Sequence, residues 1–158
     1  AHKLKDSFDG SVFILAQDEF VRPESGIPKI KERTDWEHPA SIDFERIKAE
    51  AKAQKRNYDL IIVEGLLAFY DPELAAMFDL TVLMNISRET FMERRKQESR
   101  WGKEPDWYLE HVWDSYLKFG QFEAEVVLED WDGEVLETSP LGSYFRNLLS
   151  RDSSLHSE

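Results

Sequence analysis

Two short apolar runs limit most strongly what this chain can fold into. They are "SVFILAQD" at residues 11–18 and "DLIIVEG" at residues 59–65, and each stops on a carboxylate. Neither alternates apolar with polar residues, as a strand with one wet face does, so both read as strands covered on two faces. Strands of that kind belong to parallel sheets with helices packed on either side, and the segments around them have the period that such helices need. The expected class is therefore α/β.

The remaining elements follow from local signals. Residues 1–7 read as a short helix. Residues 21–40 carry three prolines and many charges and read as one long loop, a length associated with function or motion. A helix is expected from Asp43 to about Gln54, with Phe44, Ile47 and Ala51 on its apolar face. "DPELAAMF" is a short helix opened by Asp71 and Pro72, and "DLTVLMN" is a third strand. Ser87 can cap "RETFMERRKQES". After the break "WGKEP" comes the aromatic helix "DWYLEHVWDSYLKFGQ", then a fourth strand "AEVVLED", a turn "WDGE" and a closing helix "PLGSYFRNLLS". One domain over residues 1–150 and a frayed tail over residues 151–158 are expected.

Composition narrows the partners. With 158 residues, 41% of them apolar, the chain suits one domain with its own core. A formal net charge of −12 disfavours nucleic acid and anionic membranes. Cysteine is absent, which excludes disulfides and thiolate metal sites. No apolar run approaches the roughly 20 residues of a membrane span. A cytoplasmic protein, monomeric or homodimeric, is the expectation. The first residue is Ala1, and "AHKLKDS" reads as the last turns of a helix, so the chain is expected to be part of a longer protein.

Three constellations bear on chemistry. Asp18 and Glu64 each follow the C-terminal end of an apolar strand, where open parallel sheets bind ligands. Placed side by side, they would hold Mg²⁺ or take a proton from an attacking hydroxyl; as isolated strand exits they would do neither, and the pattern alone serves both readings equally. Arg94, Arg95, Lys96, Arg100 and Lys103 gather cations in an acidic chain, as a phosphate clamp would. Cations favoured by the C-terminal dipole of a helix are the simpler account of that cluster taken alone. Trp36, in the long loop, and Trp107, with Tyr108 after "WGKEP", could stack on a planar ring or fill the core. Val112, Tyr116 and Phe119 have core spacing. The four histidines show no metal-ligand spacing, and His111 reads as structural.

Taken in order, "QDEFVRPES", "DWEHPASIDF", "IIVEGLLAF", "FDLTVLMNISRETFMERRK" and "WYLEHVWDSYLK" resemble the nicotinamide riboside kinases, P-loop kinases related to uridine kinase. The resemblance runs from Ala1 to about residue 145. It implies a P-loop fold and ATP-dependent phosphorylation of the 5′-hydroxyl of nicotinamide riboside, giving the mononucleotide used in NAD biosynthesis. Carried over by position, Asp18 would be the base and Arg22 a basic residue beside it. Glu37 would hold the ribose hydroxyls, and Trp36 and Trp107 would sandwich the nicotinamide. Glu64 would position Mg²⁺. Arg94, Arg95 and Arg100 would face the transferring phosphate. Apart from that carry-over, the loop around Asp130 to Gly133 is the candidate for the adenine of ATP.

The chain departs from that family in three ways. Glu37 stands where Asp is usual, and the spacing from Arg95 to Arg100 is longer. No G-x-x-x-x-G-K-[ST] phosphate loop occurs anywhere; it is expected immediately upstream of Ala1. A uridine- or cytidine-type kinase and a non-catalytic riboside-binding or regulatory protein are the alternatives.

Overall fold

In a computed structural model, residues 1–98, 102, 104–129 and 142 are described. The chain is α/β, with parallel strands flanked by helices. Helix α1 (His2–Ser7) leads into β1 (Val12–Ala16), and β2 (Lys29–Ile30) and β3 (Arg33–Thr34) follow within the long connection. Next come α2 (Phe44–Gln54), β4 (Leu60–Glu64), α3 (Pro72–Ala75), β5 (Val82–Asn85), α4 (Arg88–Gln97), α5 (Asp106–Phe119) and β6 (Val126–Glu129). The expected turn at "WDGE", the closing helix and the tail lie outside the described residues. No helix among the described residues is long and apolar enough to cross a membrane.

The parallel strands form two ladders. β1 pairs with β4 from Val12↔Leu60 to Ala16↔Glu64, and β5 pairs with β6 from Val82↔Val126 to Asn85↔Glu129. Each ladder begins with the same device. The residue before β1, Ser11, donates from its N–H and its hydroxyl to Asp59 Oδ2, at 2.8 and 2.7 Å, and Asp59 is the residue before β4. Those two donors hold the Asp59 carboxyl below its ordinary pKa. The residue before β5, Thr81, donates in the same way to Glu125 Oε2, at 3.0 and 3.2 Å, and Glu125 precedes β6. A hydroxyl and an acid, each one position upstream of its strand, thus fix both parallel registers.

The helix starts agree with their caps. Asp43 Oδ1 accepts from Arg46 N–H at 3.1 Å, Asp71 Oδ1 from Leu74 N–H at 2.8 Å, and Ser87 Oγ from Thr90 N–H at 3.1 Å. Phe44, Ile47 and Ala51 bury the face of α2 against Leu15 of β1 and against Leu67 and Leu74. On the same helix, the buried Lys48 meets Glu45 at 2.7 Å and Glu73 at 2.8 Å, with Asp71 at 3.5 Å. The hydrogen bonds to Glu45 and Glu73 push its pKa above the usual lysine value. This group ties α2 to the start of α3.

The long connection is more ordered than a loop. Its 3₁₀ turns Gln17–Phe20, Glu24–Gly26 and Pro39–Ser41 bracket the small antiparallel β2–β3 hairpin. The two turn residues, Lys31 and Glu32, have φ of 44° and 64°. That is the left-handed pair a two-residue hairpin needs, adopted here without glycine.

Because Ile47 is 1% exposed at the centre of this core, Ile47→Ala is expected to cost about 2–5 kcal/mol of unfolding free energy. Denaturant titration monitored by circular dichroism measures it.

Candidate functional site

The β1–β4 register answers the question posed by the two acids. Ala16 lies opposite Glu64, so the strand ends are neighbours and Asp18 and Glu64 leave the same edge of one ladder. Both are exposed. Between them, the ladder end is closed by Gln17, which is buried and whose Oε1 accepts from Leu67 N–H at 2.8 Å. Gly65 makes room for it: its φ is 154°, and a Cβ there would fall 2.4 Å from that of Gln17. Phe20, buried, anchors the turn that carries Asp18. Arg22 is exposed, and its N–H donates to Ser41 O at 2.7 Å, which lays this stretch beside the end of the long connection.

A second group of side chains forms where that connection meets α4 and α5. Asp35 N–H donates to Pro28 O at 2.8 Å, and Ser41 Oγ donates to Trp36 O at 2.8 Å. Trp36 remains 44% exposed. Glu37 is partly buried, and burial raises its pKa to about 7. Arg95 and His111 oppose that shift, while the carboxylates of Asp35 and Glu104 reinforce it. The Arg95 fork is held by Glu104, with Nε–Oε2 at 2.8 Å and Nη2–Oε1 at 3.2 Å. Arg94 is exposed. Tyr108 is buried beside this cluster; burial first, then the neighbouring Glu37, pushes its phenol up to about 12.

The hairpin rests on α5 through two cations. Lys31 Nζ lies 4.5 Å from the ring centroid of Trp107, and the Arg33 guanidinium 5.2 Å from that of Tyr108. No ring pair joins Trp36 to Trp107 among the described residues. In this structure the face of Trp107 receives a lysine. Val112 and Tyr116 are buried and Phe119 packs on the main core, as their spacing requires.

Several expected site residues are therefore grouped: Asp18 with Glu64, and Glu37 with Arg95. No hydrogen bond or ion pair of the described residues links the first pair to Arg94 or Arg95. Arg100, Lys103, Asp130 and Gly133 lie outside the described residues. A cleft of about 830 Å³ opens between α4 and α5, lined by Arg88, Met92, Lys96 and Asp106 among others; none of the strand-end acids lines it.

Sequence reasoning missed four participants: Asp35, Glu104, Lys31 and His111. His111 Nε2 lies 2.7 Å from Asp35 Oδ1, so the histidine read as structural is joined to the residue just before Trp36 and Glu37. Asp35 and His111 do lie in two of the segments that carry the resemblance, "DWEHPASIDF" and "WYLEHVWDSYLK", but nothing in either segment pairs them.

Among the described residues no three acids or histidines gather at metal-binding distance. Mg²⁺ takes one or two protein carboxylates and completes its shell with water and phosphate oxygens. The exposed Glu64, at the ladder end that Asp18 also leaves, suits that requirement.

No protein-family model matches the chain. Among curated proteins, uridine-cytidine kinase 2-B of Danio rerio is 25% identical, over 72% of this chain and 53% of its own length. The uridine kinase of Bacillus mycoides (strain KBAB4) is 28% identical over 58% of this chain and 56% of its own length. That of Bacillus cereus (strain AH187) is 27% identical over 71% and 64%. The chain thus spans between about half and two thirds of these relatives.

Burial that raises the Glu37 pKa also has a thermodynamic signature. Below the ordinary carboxyl value of 4.5 both folded and unfolded chains hold this proton; from 4.5 to about 7 the unfolded chain has released it while the folded chain still holds it, so stability falls across that window and levels off once the folded chain ionises as well. Glu37→Gln removes that loss. The Tm of the variant, relative to that of the parent, is expected to climb between pH 4.5 and 7.5 and then level off, as calorimetry across pH would show. Over 58–72% of its length the chain is similar to these uridine and uridine-cytidine kinases.

Proposed function

We propose that this chain forms the acceptor side of a nucleoside kinase that transfers phosphate from ATP to the 5′-hydroxyl of a ribonucleoside, most closely of the uridine or cytidine type. The observation that carries the reading is the pair Asp18 and Glu64 at adjacent parallel strand ends. The similarity to uridine kinases supports the pyrimidine choice.

Phosphoryl transfer asks little covalent chemistry of a protein; it needs an aligned nucleophile and positive charge around the phosphate. In this reading Asp18 receives the proton of the 5′-hydroxyl as the hydroxyl oxygen attacks. Its exposure at the turn leaves room for a sugar to approach. Arg22 lies on the same stretch and supports the sugar end of the acceptor. Glu37 accepts from the ribose hydroxyls, and Trp36 and Trp107 flank the base. Glu64 would hold Mg²⁺ through water, and the bound ion would spread the charge of the transferring phosphate. Arg94, with Arg95 once it is freed from Glu104, and Arg100 would meet the phosphate from the α4 side. Asp130 and Gly133 are the candidates for the adenine.

A second reading, nicotinamide riboside as acceptor and NAD biosynthesis as the context, is favoured by one observation. The face of Trp107 carries the ammonium of Lys31 at 4.5 Å, and a pyridinium ring would offer the same kind of positive charge to that face.

Turnover by the full-length protein of uridine, cytidine and nicotinamide riboside with ATP separates these readings. Higher kcat/KM for the pyrimidines supports the first, and a preference for the cationic riboside moves the assignment to the second. No turnover of any nucleoside would leave a binding or regulatory role. Asp18→Asn is expected to lower kcat by about 10²–10⁴-fold with the KM for ATP little changed; retained activity would remove Asp18 as the base. Lys31→Ala should improve the KM for nicotinamide riboside relative to uridine, because it removes a cation that competes for the face of Trp107.

A further inference from the structure

The stretch that carries Trp36 and Glu37 is held mainly by bonds within itself. Asp35 N–H donates to Pro28 O, Trp36 N–H to Thr34 O, His38 N–H to Asp35 O and Ser41 Oγ to Trp36 O. Its ties to the helical layer are few. Two are cation–ring contacts made by Lys31 and Arg33, both on exposed residues, and a third is the edge contact of the His38 ring with Phe119 at the end of α5, 5.9 Å between centroids. Another is of a different kind: the Asp35 carboxylate accepts from His111 Nε2 at 2.7 Å, with the two side chains 11% and 19% exposed. Among the described residues, no other side chain hydrogen-bonds to Asp35 or forms an ion pair with it.

The placement follows from helix geometry. Trp107, Tyr108 and His111 stand four and three residues apart on α5, so they share a face. That face meets Lys31, Arg33 and Asp35 in turn. A charged acceptor with restricted water makes a short and directional bond. Asp35 is joined through the main chain directly to Trp36 and, one residue further, to Glu37. Whatever fixes the Asp35 side chain therefore sets where an indole and a carboxylate are presented.

We propose that His111 is a positioning residue: through Asp35 it holds Trp36 and Glu37 against α5, so that a nucleoside meets a preset surface for its base and ribose. The proposal rests on the nucleoside reading above. His111 does not itself touch the acceptor. It removes the search among loop conformations that binding would otherwise include, and a preset surface raises affinity for the acceptor without acting on the transferring phosphate.

The experiment compares the full-length protein with its His111→Ala, His111→Gln and Asp35→Ala variants. Removal of the imidazole is expected to raise the KM for the accepted nucleoside about tenfold, with kcat within about twofold and the KM for ATP unchanged. Gln can place a donor near the position of Nε2 and should restore most of the affinity. Asp35→Ala should resemble His111→Ala, and the double variant should be no worse than either single one. Hydrogen exchange at the amides of Asp35 and Trp36 should quicken in His111→Ala and recover in His111→Gln, while that of Ile47 stays slow. An unchanged nucleoside KM or unchanged exchange in His111→Ala overturns the inference, as does equal loss with all substrates. Absence of any nucleoside turnover by the parent protein is the separate result that fails the nucleoside reading itself.

Discussion

The parallel ladder between β1 and β4 is the constraint on which the rest depends. Its register places Ala16 opposite Glu64, and two acids distant in sequence thereby leave one sheet edge together. In a strand, a slip of one residue turns every side chain to the opposite face. Here it would also undo the pairing of Ala16 with Glu64 and expel Leu15, which is 2% exposed and packs on α2. Core packing and the grouping of the acids are thus decided by the same set of backbone bonds. The buried Gln17, bonded to Leu67 N–H across the space left by Gly65, closes that ladder at the site end.

Charge is distributed unevenly in a chain with a net charge of −12. Several cations are already committed: Lys48 to three carboxylates and Arg95 to Glu104. Arg88 is paired with Glu110 between α4 and α5. Arg95 has a particular standing because it also acts on Glu37, which burial holds near neutrality. A phosphate arriving from the α4 side would compete with Glu104 for this guanidinium. Release of Arg95 toward a phosphate would also remove the main influence favouring the ionised form of Glu37. In the proposed reading, the acceptor and phosphate sides of the site are coupled through one side chain.

Much of the fold was legible because its signals are local. Continuous apolar runs marked β1 and β4, capping residues marked the starts of α2, α3 and α4, and spacing marked the buried face of α5. The hairpin was not legible: its turn is Lys31–Glu32 rather than Asn-Gly, so a left-handed pair is formed by residues that carry no turn signal. Pairing of Asp18 with Glu64 could be stated only as a condition, since no sequence pattern says which strands are neighbours. The contact of His111 with Asp35 crosses 76 positions, and a histidine on an amphipathic helix has no spacing that distinguishes a core residue from a partner. The raised pKa of Glu37 is likewise a property of burial and of four charged neighbours, three of them outside its own segment in sequence or role.

The twin devices at the start of the two ladders have a consequence at their far ends. Ser11 with Asp59, and Thr81 with Glu125, are hydroxyl–acid pairs outside the strands, yet they decide which residues face each other further along. A parallel pair has no tight turn to set its alignment, so these pairs do the work that a hairpin loop does elsewhere. From Ser11 to the end of β1 the strand advances roughly 16 Å. The chemistry of one edge of the sheet is therefore indexed from the opposite edge, by a serine and an aspartate that a search confined to the site would pass over.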